Sequence, residues 1–100
     1  MTLLLDIYTE LKKLQLVNNA QTFSVRYLAK NKNWYSYQTH MRRELSFSAS
    51  INCAFYMRSL LQQDVLSSTQ RQSVAAMLRE IKRYLAERYM VTWTSTNAEH

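Results

Sequence analysis

The residue types that most often carry out catalysis are few in this sequence and do not form a catalytic pattern. The histidines are His40 and His100, and the single cysteine is Cys53, which lies in an apolar segment. A buried thiol is more common there than a nucleophile. Asp6 and Glu10 are spaced to share one helix face, which a solvated face explains more simply than an acid/base pair. No spacing matches a metal site, so we expect no enzyme activity, no metal, no cofactor and no small-molecule substrate.

Composition excludes several other kinds of chemistry. The 100 residues contain no glycine and no proline, which excludes the Gly-rich loops that cradle phosphates or dinucleotides. Turns with positive φ must then rely on Asn, Asp or strained residues. One cysteine cannot form an internal disulfide, which favours a reducing, cytoplasmic location. No run approaches the roughly 18 apolar residues of a membrane span, and we expect neither a signal peptide nor membrane association.

The distribution of positive charge indicates binding rather than catalysis. The net charge is +6, and such a balance favours nucleic acid, an anionic membrane or an acidic protein as partner. Residues 21–45 contribute +4 of it. Their only acidic residue is Glu44, and their basic residues are Arg26, Lys30, Lys32, Arg42 and Arg43.

Helical periodicity runs through most of the chain. Apolar residues at three-and-four spacing predict helices over about 3–17, 20–29, 33–45, 49–63 and 70–91. Asn18-Asn19 is a plausible stop for the first helix, and Asn33 and Ser48 are plausible N-caps of the third and fourth. Either Ser67 with Gln70 or Thr69 with Gln72 matches a capping box before the last helix.

These elements predict an all-α protein, a compact bundle of about five helices. No segment alternates with a period of two, so we expect no sheet. We expect a single helical domain over residues 1–91 and a flexible C-terminal tail over 92–100, where the apolar stripe ends.

Residues 21–45 also have the organisation of a DNA-binding motif. A short helix, a polar turn around residues 30–33 and a second helix rich in basic and aromatic residues follow one another. Such a pair allows the second helix to enter the major groove while nearby cations hold phosphates. The stretch FSVRYLAKNKNWYSYQTHMRRE, followed by LSFSA and an apolar helix, resembles the helix-turn-helix of phage repressors of the lambda repressor and Cro type. The resemblance covers about residues 20–63. Within that class, the stretch looks especially like small bacterial members.

The resemblance implies a role for each matching position. Val25 is the small or apolar residue at which the two helices approach, and Leu28 and Tyr35 are core positions. Ala29 stands in the turn where glycine is usual, while Lys30 and Gln38 replace residues that are usually apolar. The positions that commonly face DNA are occupied by Asn31, Lys32, Asn33, Ser36, Tyr37 and His40. Arg42 and Arg43 are expected to contact phosphates, which makes the chain a candidate DNA-binding transcriptional regulator of phage or mobile-element type.

Two points stay open at this level. The basic segment could instead be a solvated face, or the face by which a helical adaptor or inhibitor binds an acidic protein. Arg42 and Arg43 could pair with acids such as Asp64 or Glu80, or simply favour the helix dipole near a helix end. Trp34, Tyr35 and Tyr37 could be simple core aromatics. We also expect a homodimer, because the last helix carries an apolar stripe wide enough to serve both the domain core and a second chain. The alternative is that the chain's own core uses the whole stripe. Its members are Val74, Met77, Leu78, Ile81, Tyr84, Leu85 and Tyr89.

Overall fold

The computed structural model describes residues 2–91, and within that range the regular structure is entirely helical. Five helices follow one another: α1 (Leu3–Lys13), α2 (Ala20–Thr22, continued by a π-helical stretch, Phe23–Tyr27), α3 (Trp34–His40), α4 (Phe47–Gln62) and α5 (Ser68–Tyr89). The predicted all-α class is therefore confirmed. The predicted tail, residues 92–100, lies outside the described residues.

Side chains cap the N-termini of four helices. Thr2 caps α1 and Asn19 caps α2, while the Ser67–Gln70 capping box opens α5. The predicted cap of the fourth helix was wrong by two residues: Ser46, not Ser48, accepts the N–H of Ala49 at 3.2 Å. An earlier start suits the core because it places Ala49 and Ser50, both buried, inside the first turn of α4.

The helices end without glycine and without the predicted asparagines. Positive φ angles occur at Gln15, Ala29, Arg42 and Met90, each in the left-handed region. The first helix stops at Lys13 rather than at Asn18-Asn19. Left-handed conformation costs an L-residue roughly 1–2 kcal/mol, so the glycine-free chain accepts local strain at the ends of four helices, while α4 ends in extended backbone at Gln63.

The core joins all five helices. The aromatic rings of Tyr8, Phe23 and Tyr35 lie 4.5–5.4 Å apart and link α1, α2 and α3. Apolar residues of α4 and α5 complete the interior. The fully buried core residues of these two helices are Ala49, Cys53, Ala54, Met57, Val74, Ile81 and Leu85.

The apolar stripe of α5 is used mainly for this core. Val74, Ile81 and Leu85 are fully buried, and the exposed fractions of Met77 and Leu78 are 9% and 7%. The Tyr84 hydroxyl donates to the carbonyl of Leu45 at 2.6 Å, which ties the middle of α5 to the chain before α4. The argument for a dimer from the width of this stripe therefore loses its basis.

Candidate nucleic-acid interface

The helix pair α2–α3 is fixed to the core through the positions that the motif assigns to packing. Leu28 is fully buried and Tyr35 is 6% exposed. The Tyr35 ring contacts the rings of Tyr8 and Phe23. Trp34 is half-buried and packs at the edge of the core, in agreement with the core interpretation of this residue. One side of α3 is thereby held against the protein.

A buried serine joins the two helices through a hydrogen bond. The hydroxyl oxygen of Ser24, fully buried, accepts the backbone N–H of Tyr35 at 2.9 Å. This N–H belongs to the first turn of α3 and would otherwise lack a partner within its helix. Asn33 occupies the N-cap position, but its side chain makes no capping hydrogen bond. The predicted N-cap position is therefore confirmed, but the capping hydrogen bond comes from a serine of the preceding helix rather than from Asn33.

Val25 does not lie where the motif assigned it. Its side chain is 55% exposed, so it is not the residue at which the helices approach. The difference follows from the π-helical stretch Phe23–Tyr27. A π-helix has more residues per turn than an α-helix, so it changes which residues face α3. Ser24, one position earlier, takes the place between the helices.

The turn between the helices has the expected geometry without the expected glycine. Ala29 adopts φ 55°, the conformation for which glycine is usual at this point. The side-chain oxygen of Asn31 accepts the N–H of Asn33 at 2.9 Å, which closes the second part of the turn. Lys30 is accommodated at the surface, where its ammonium donates to the Ser48 hydroxyl at 2.6 Å.

Gln38 is the second polar residue at a position where the motif usually has an apolar one, and it is buried with a hydrogen-bond partner. Gln38 is only 8% exposed, and its amide lies 3.5 Å from the carbonyl oxygen of Glu44. The backbone carbonyl of Gln38 separately accepts the N–H of Arg43 at 2.8 Å. A buried side-chain amide with a hydrogen-bond partner is compatible with a packed interior, so Gln38 serves as a core residue in spite of its polarity.

The remaining positions form one exposed surface. On α3 the side chains at residues 33, 36, 37 and 40 follow the three-and-four spacing of a single helix face, and all are exposed. Two exposed turn residues precede them. We call the full set the α3 face: Asn31, Lys32, Asn33, Ser36, Tyr37 and His40.

Two arginines border the α3 face at the end of α3. Arg42 and Arg43 are exposed, and the Arg43 guanidinium lies 5.7 Å from the centre of the Tyr37 ring. Glu80, considered as a partner from the sequence, pairs instead with Arg83 at 3.1 Å. Within residues 2–91 neither Arg42 nor Arg43 forms an ion pair. Both are therefore available to bind an external anion.

Glu44 has a role that sequence reasoning missed. Its carboxylate accepts the N–H groups of Leu3 and Leu4 at 3.0 and 2.9 Å, and that of Leu45 at 2.9 Å. A carboxylate at a helix N-terminus is favourable because the first N–H groups and the helix dipole both attract negative charge. The one acidic residue of the basic segment thus anchors the end of α3 to α1. The sequence signal for this role was that Glu44 is the only acidic residue among the basic residues of the segment 21–45.

A shallow pocket beside α2 is lined by two further basic residues. Arg26 and Lys32 line a shallow pocket together with Gln21 and Thr22, so the cations of the motif extend from the turn to the outer side of α2. Arg26 and Lys32 are both exposed. Lys32 thus connects the α3 face with the exposed Arg26 of the preceding helix.

Over residues 4–98 the sequence matches the model of a protein family described as a family of unknown function (DUF6626). The chain belongs to this family. No curated protein and no solved structure matches it.

The other sequence features have ordinary structural roles. Cys53 is fully buried, and burial raises the pKa of its thiol to about 12. Glu10 lies 4.0 Å from Lys13, and Asp6 is exposed. Among residues 2–91, no helix is both long and apolar enough to cross a membrane.

Proposed function

We propose that this protein binds double-stranded DNA through the helix-turn-helix formed by α2 and α3, as a cytoplasmic transcriptional regulator of phage or mobile-element type. One observation carries the proposal. The six positions that the motif assigns to DNA are all exposed on one surface, while Leu28, Tyr35 and Gln38, which the motif assigns to packing, are buried.

In this proposal α3 enters the major groove with the α3 face toward the base edges. Asn33 can make paired hydrogen bonds to adenine, and the Ser36 hydroxyl can serve several bases. Tyr37 and His40 lie one turn further along the same face and contact the adjacent base pairs. The half-buried Trp34 and the buried Tyr35 support the helix from behind.

The cations at the borders hold the DNA backbone. Arg42 and Arg43 contact phosphates at the C-terminal end of α3, and Lys32 lies at the mouth of the groove. Contacts of this kind fix orientation and supply most of the affinity, whereas base contacts supply specificity. Each neutralised phosphate steepens the dependence of log affinity on log salt concentration by about 0.9.

The test is fluorescence anisotropy with duplex DNA at several salt concentrations. Replacing Arg42 and Arg43 together by Ala should weaken binding to all duplexes and reduce the salt slope by up to about two units. A matched control removes two exposed cations elsewhere, Lys13 and Arg79, and should change the slope little. Equal effects of the two pairs would argue against a defined phosphate surface.

A second measurement tests base recognition. Duplexes are selected from a random pool, and the preference of the wild-type protein is compared with that of Ser36→Ala and His40→Ala. Both changes should alter sequence preference while general affinity is retained. If duplex binding is missing even at low salt, the DNA proposal fails, and an acidic protein becomes the expected partner of the basic face.

A further inference from the structure

A recess lies between the start of α1 and the end of α3, beside the two arginines proposed to hold DNA. Its volume is about 270 Å³, and it is lined by Thr2, Leu5, Thr39, Arg42 and Arg43. Leu5 contributes an apolar side chain that is 38% exposed, and none of the lining residues is acidic. The recess therefore combines an apolar wall with two cations, a composition that suits an organic anion.

The positive charge of the recess is not neutralised within the described chain. Among residues 2–91, neither Arg42 nor Arg43 forms an ion pair. Glu44 follows them in sequence, but its carboxylate accepts the N–H groups of Leu3 and Leu4. Its charge is thus used at the N-terminus of α1, while the two guanidinium groups keep their donors for another carboxylate, which arginine can bind with two parallel hydrogen bonds.

Of the two threonines, one can also donate to a bound anion. The Thr2 hydroxyl oxygen accepts the N–H of Leu5 at 3.2 Å, a bond that does not use the hydroxyl proton. The Thr39 hydroxyl instead donates to the carbonyls of Tyr35 and Ser36 at 3.0 and 3.1 Å. Thr2 can therefore complete the hydrogen bonds of a carboxylate, whereas Thr39 contributes to the wall of the recess.

We propose that this recess binds a small carboxylate that carries an apolar group, and that the bound ligand displaces DNA. The carboxylate lies between the guanidinium groups of Arg42 and Arg43, and the apolar group packs on Leu5. The displacement rests on the proposed DNA-binding function, because the same two arginines are assigned there to phosphates. A ligand that occupies these guanidinium groups and a duplex that needs them exclude one another, so the recess is the effector site of the regulator.

Size and lining select this kind of ligand over other anions. The recess lies just below the range of roughly 300–1,000 Å³ that is typical of small-molecule pockets, so it admits only a small ligand. An apolar group buried against Leu5 adds affinity because apolar surface is removed from water. Inorganic phosphate and acetate lack such a group and can use only the two arginines. The recess therefore favours an amphipathic acid over a simple anion.

The first test measures ligand binding to the full chain without DNA. In a nitrogen-15 NMR titration, benzoate is the probe, benzamide is its uncharged analogue, and acetate and inorganic phosphate are anions without a sizeable apolar group. Benzoate should bind with a dissociation constant on the order of 1 mM, as expected for so small a ligand. It should shift the amide signals of Leu5, Arg42 and Arg43. Each of the other three probes should bind about fivefold more weakly or worse.

Two variants separate the charge of the recess from its apolar wall. Replacing Arg42 and Arg43 together by Ala should weaken benzoate binding by about 10-fold or more, because charge-assisted hydrogen bonds are lost. Leu5→Gln should weaken benzoate binding by about fivefold and leave phosphate binding unchanged. This change also creates the Thr-x-x-Gln pattern of a capping box, which keeps the start of α1 helical. The control that removes Lys13 and Arg79, both outside the recess, should bind benzoate like the wild type.

The second test adds the duplex at constant ionic strength. In the anisotropy assay, saturating benzoate should weaken duplex binding and lower the salt slope by up to about two units, as the double arginine change does. Benzamide should have no effect. Equal affinity for benzoate and phosphate, or unchanged benzoate affinity in both recess variants, overturns the ligand site. Duplex binding that is unchanged at saturating benzoate overturns the effector role, whereas benzoate binding by a protein that binds no duplex overturns the proposed DNA function and leaves the ligand site.

Discussion

Arg42 combines backbone strain with a proposed phosphate contact, and glycine at this position separates the two. Arg42 has φ 57° and directly follows the C-cap residue of α3. Its N–H donates to the carbonyl of Thr39 at 3.1 Å, and the next N–H, of Arg43, donates to Gln38 at 2.8 Å. These two bonds form a Schellman motif, whose left-handed residue is usually glycine.

The expected gain follows from two opposing terms. Left-handed conformation costs a residue with a side chain roughly 1–2 kcal/mol. Glycine removes that cost but adds freedom to the unfolded chain, which offsets about 0.4–1 kcal/mol. Arg42→Gly should therefore raise the free energy of unfolding by about 0.5–1 kcal/mol, an increase in Tm of about 4 °C for a domain of this size. The same change should lower the salt slope of duplex binding by about 0.9.

Two further variants make the comparison decisive. Arg42→Ala removes the charge but keeps a side chain in the left-handed region, so it should weaken binding equally without raising Tm. Ala29→Gly, at φ 55°, relieves strain without changing charge, so it should raise Tm and leave the salt slope unchanged. Thermal unfolding followed by circular dichroism gives the first quantity, and anisotropy titrations give the second. A Tm for Arg42→Gly at or below that of Arg42→Ala would refute the account of the strain.

Three other predictions concern the contacts that position the α3 face and the buried thiol of the core. Glu44→Ala should lower the free energy of unfolding by about 3 kcal/mol and Glu44→Gln by about 1 kcal/mol, because the carboxylate accepts three backbone N–H groups. Urea unfolding measures both losses. Equal small losses would show that the Glu44 carboxylate does not anchor this part of the chain to α1. Ser24→Ala should cost about 1–2 kcal/mol by the same assay, since the N–H of Tyr35 loses its partner, whereas an unchanged midpoint would show that the bond is dispensable. Cys53 has a folded-state pKa of about 12 against an ordinary 9.0, so its contribution to stability is present below about pH 9 and lost as pH rises toward 12. The alkaline decline in the urea midpoint should therefore be shallower in Cys53→Ala, and parallel declines would contradict this.

The helices could be predicted from the sequence because apolar periodicity is a local signal. The ends of the helices were harder to predict from the sequence. Asparagine tolerates the left-handed region, so the sequence predicted that the first helix stops at Asn18-Asn19. In the structure the left-handed residue that follows α1 is Gln15, at φ 62°. Packing against the core fixes where α1 must turn, and it outweighs a local preference of about 1 kcal/mol. A chain without glycine gives no marker for such a position.

The candidate site likewise has features that the sequence predicts and features that it does not. Exposure of the α3 face followed from the motif, since helical spacing separates its outward from its inward positions. The contacts that hold the face did not follow. Ser24 caps α3 from another helix, and Glu44 binds the N-terminus of α1 from 40 and 41 residues away in sequence. Such bonds depend on tertiary proximity. The π-helical stretch also moved the helix contact from Val25 to Ser24, a shift that regular α-helical spacing cannot anticipate.

The shortness of α3 limits how many base pairs one copy of the chain can read. Its seven residues rise by about 1.5 Å each, so the helix is about 10 Å long and spans about three base pairs at about 3.4 Å each. A single copy can therefore read too few bases to select one site, although its cations can hold any duplex. Two copies double the number of bases read and bring a second set of phosphate contacts. Changes on the α3 face should consequently alter sequence preference before they abolish general affinity for duplex DNA.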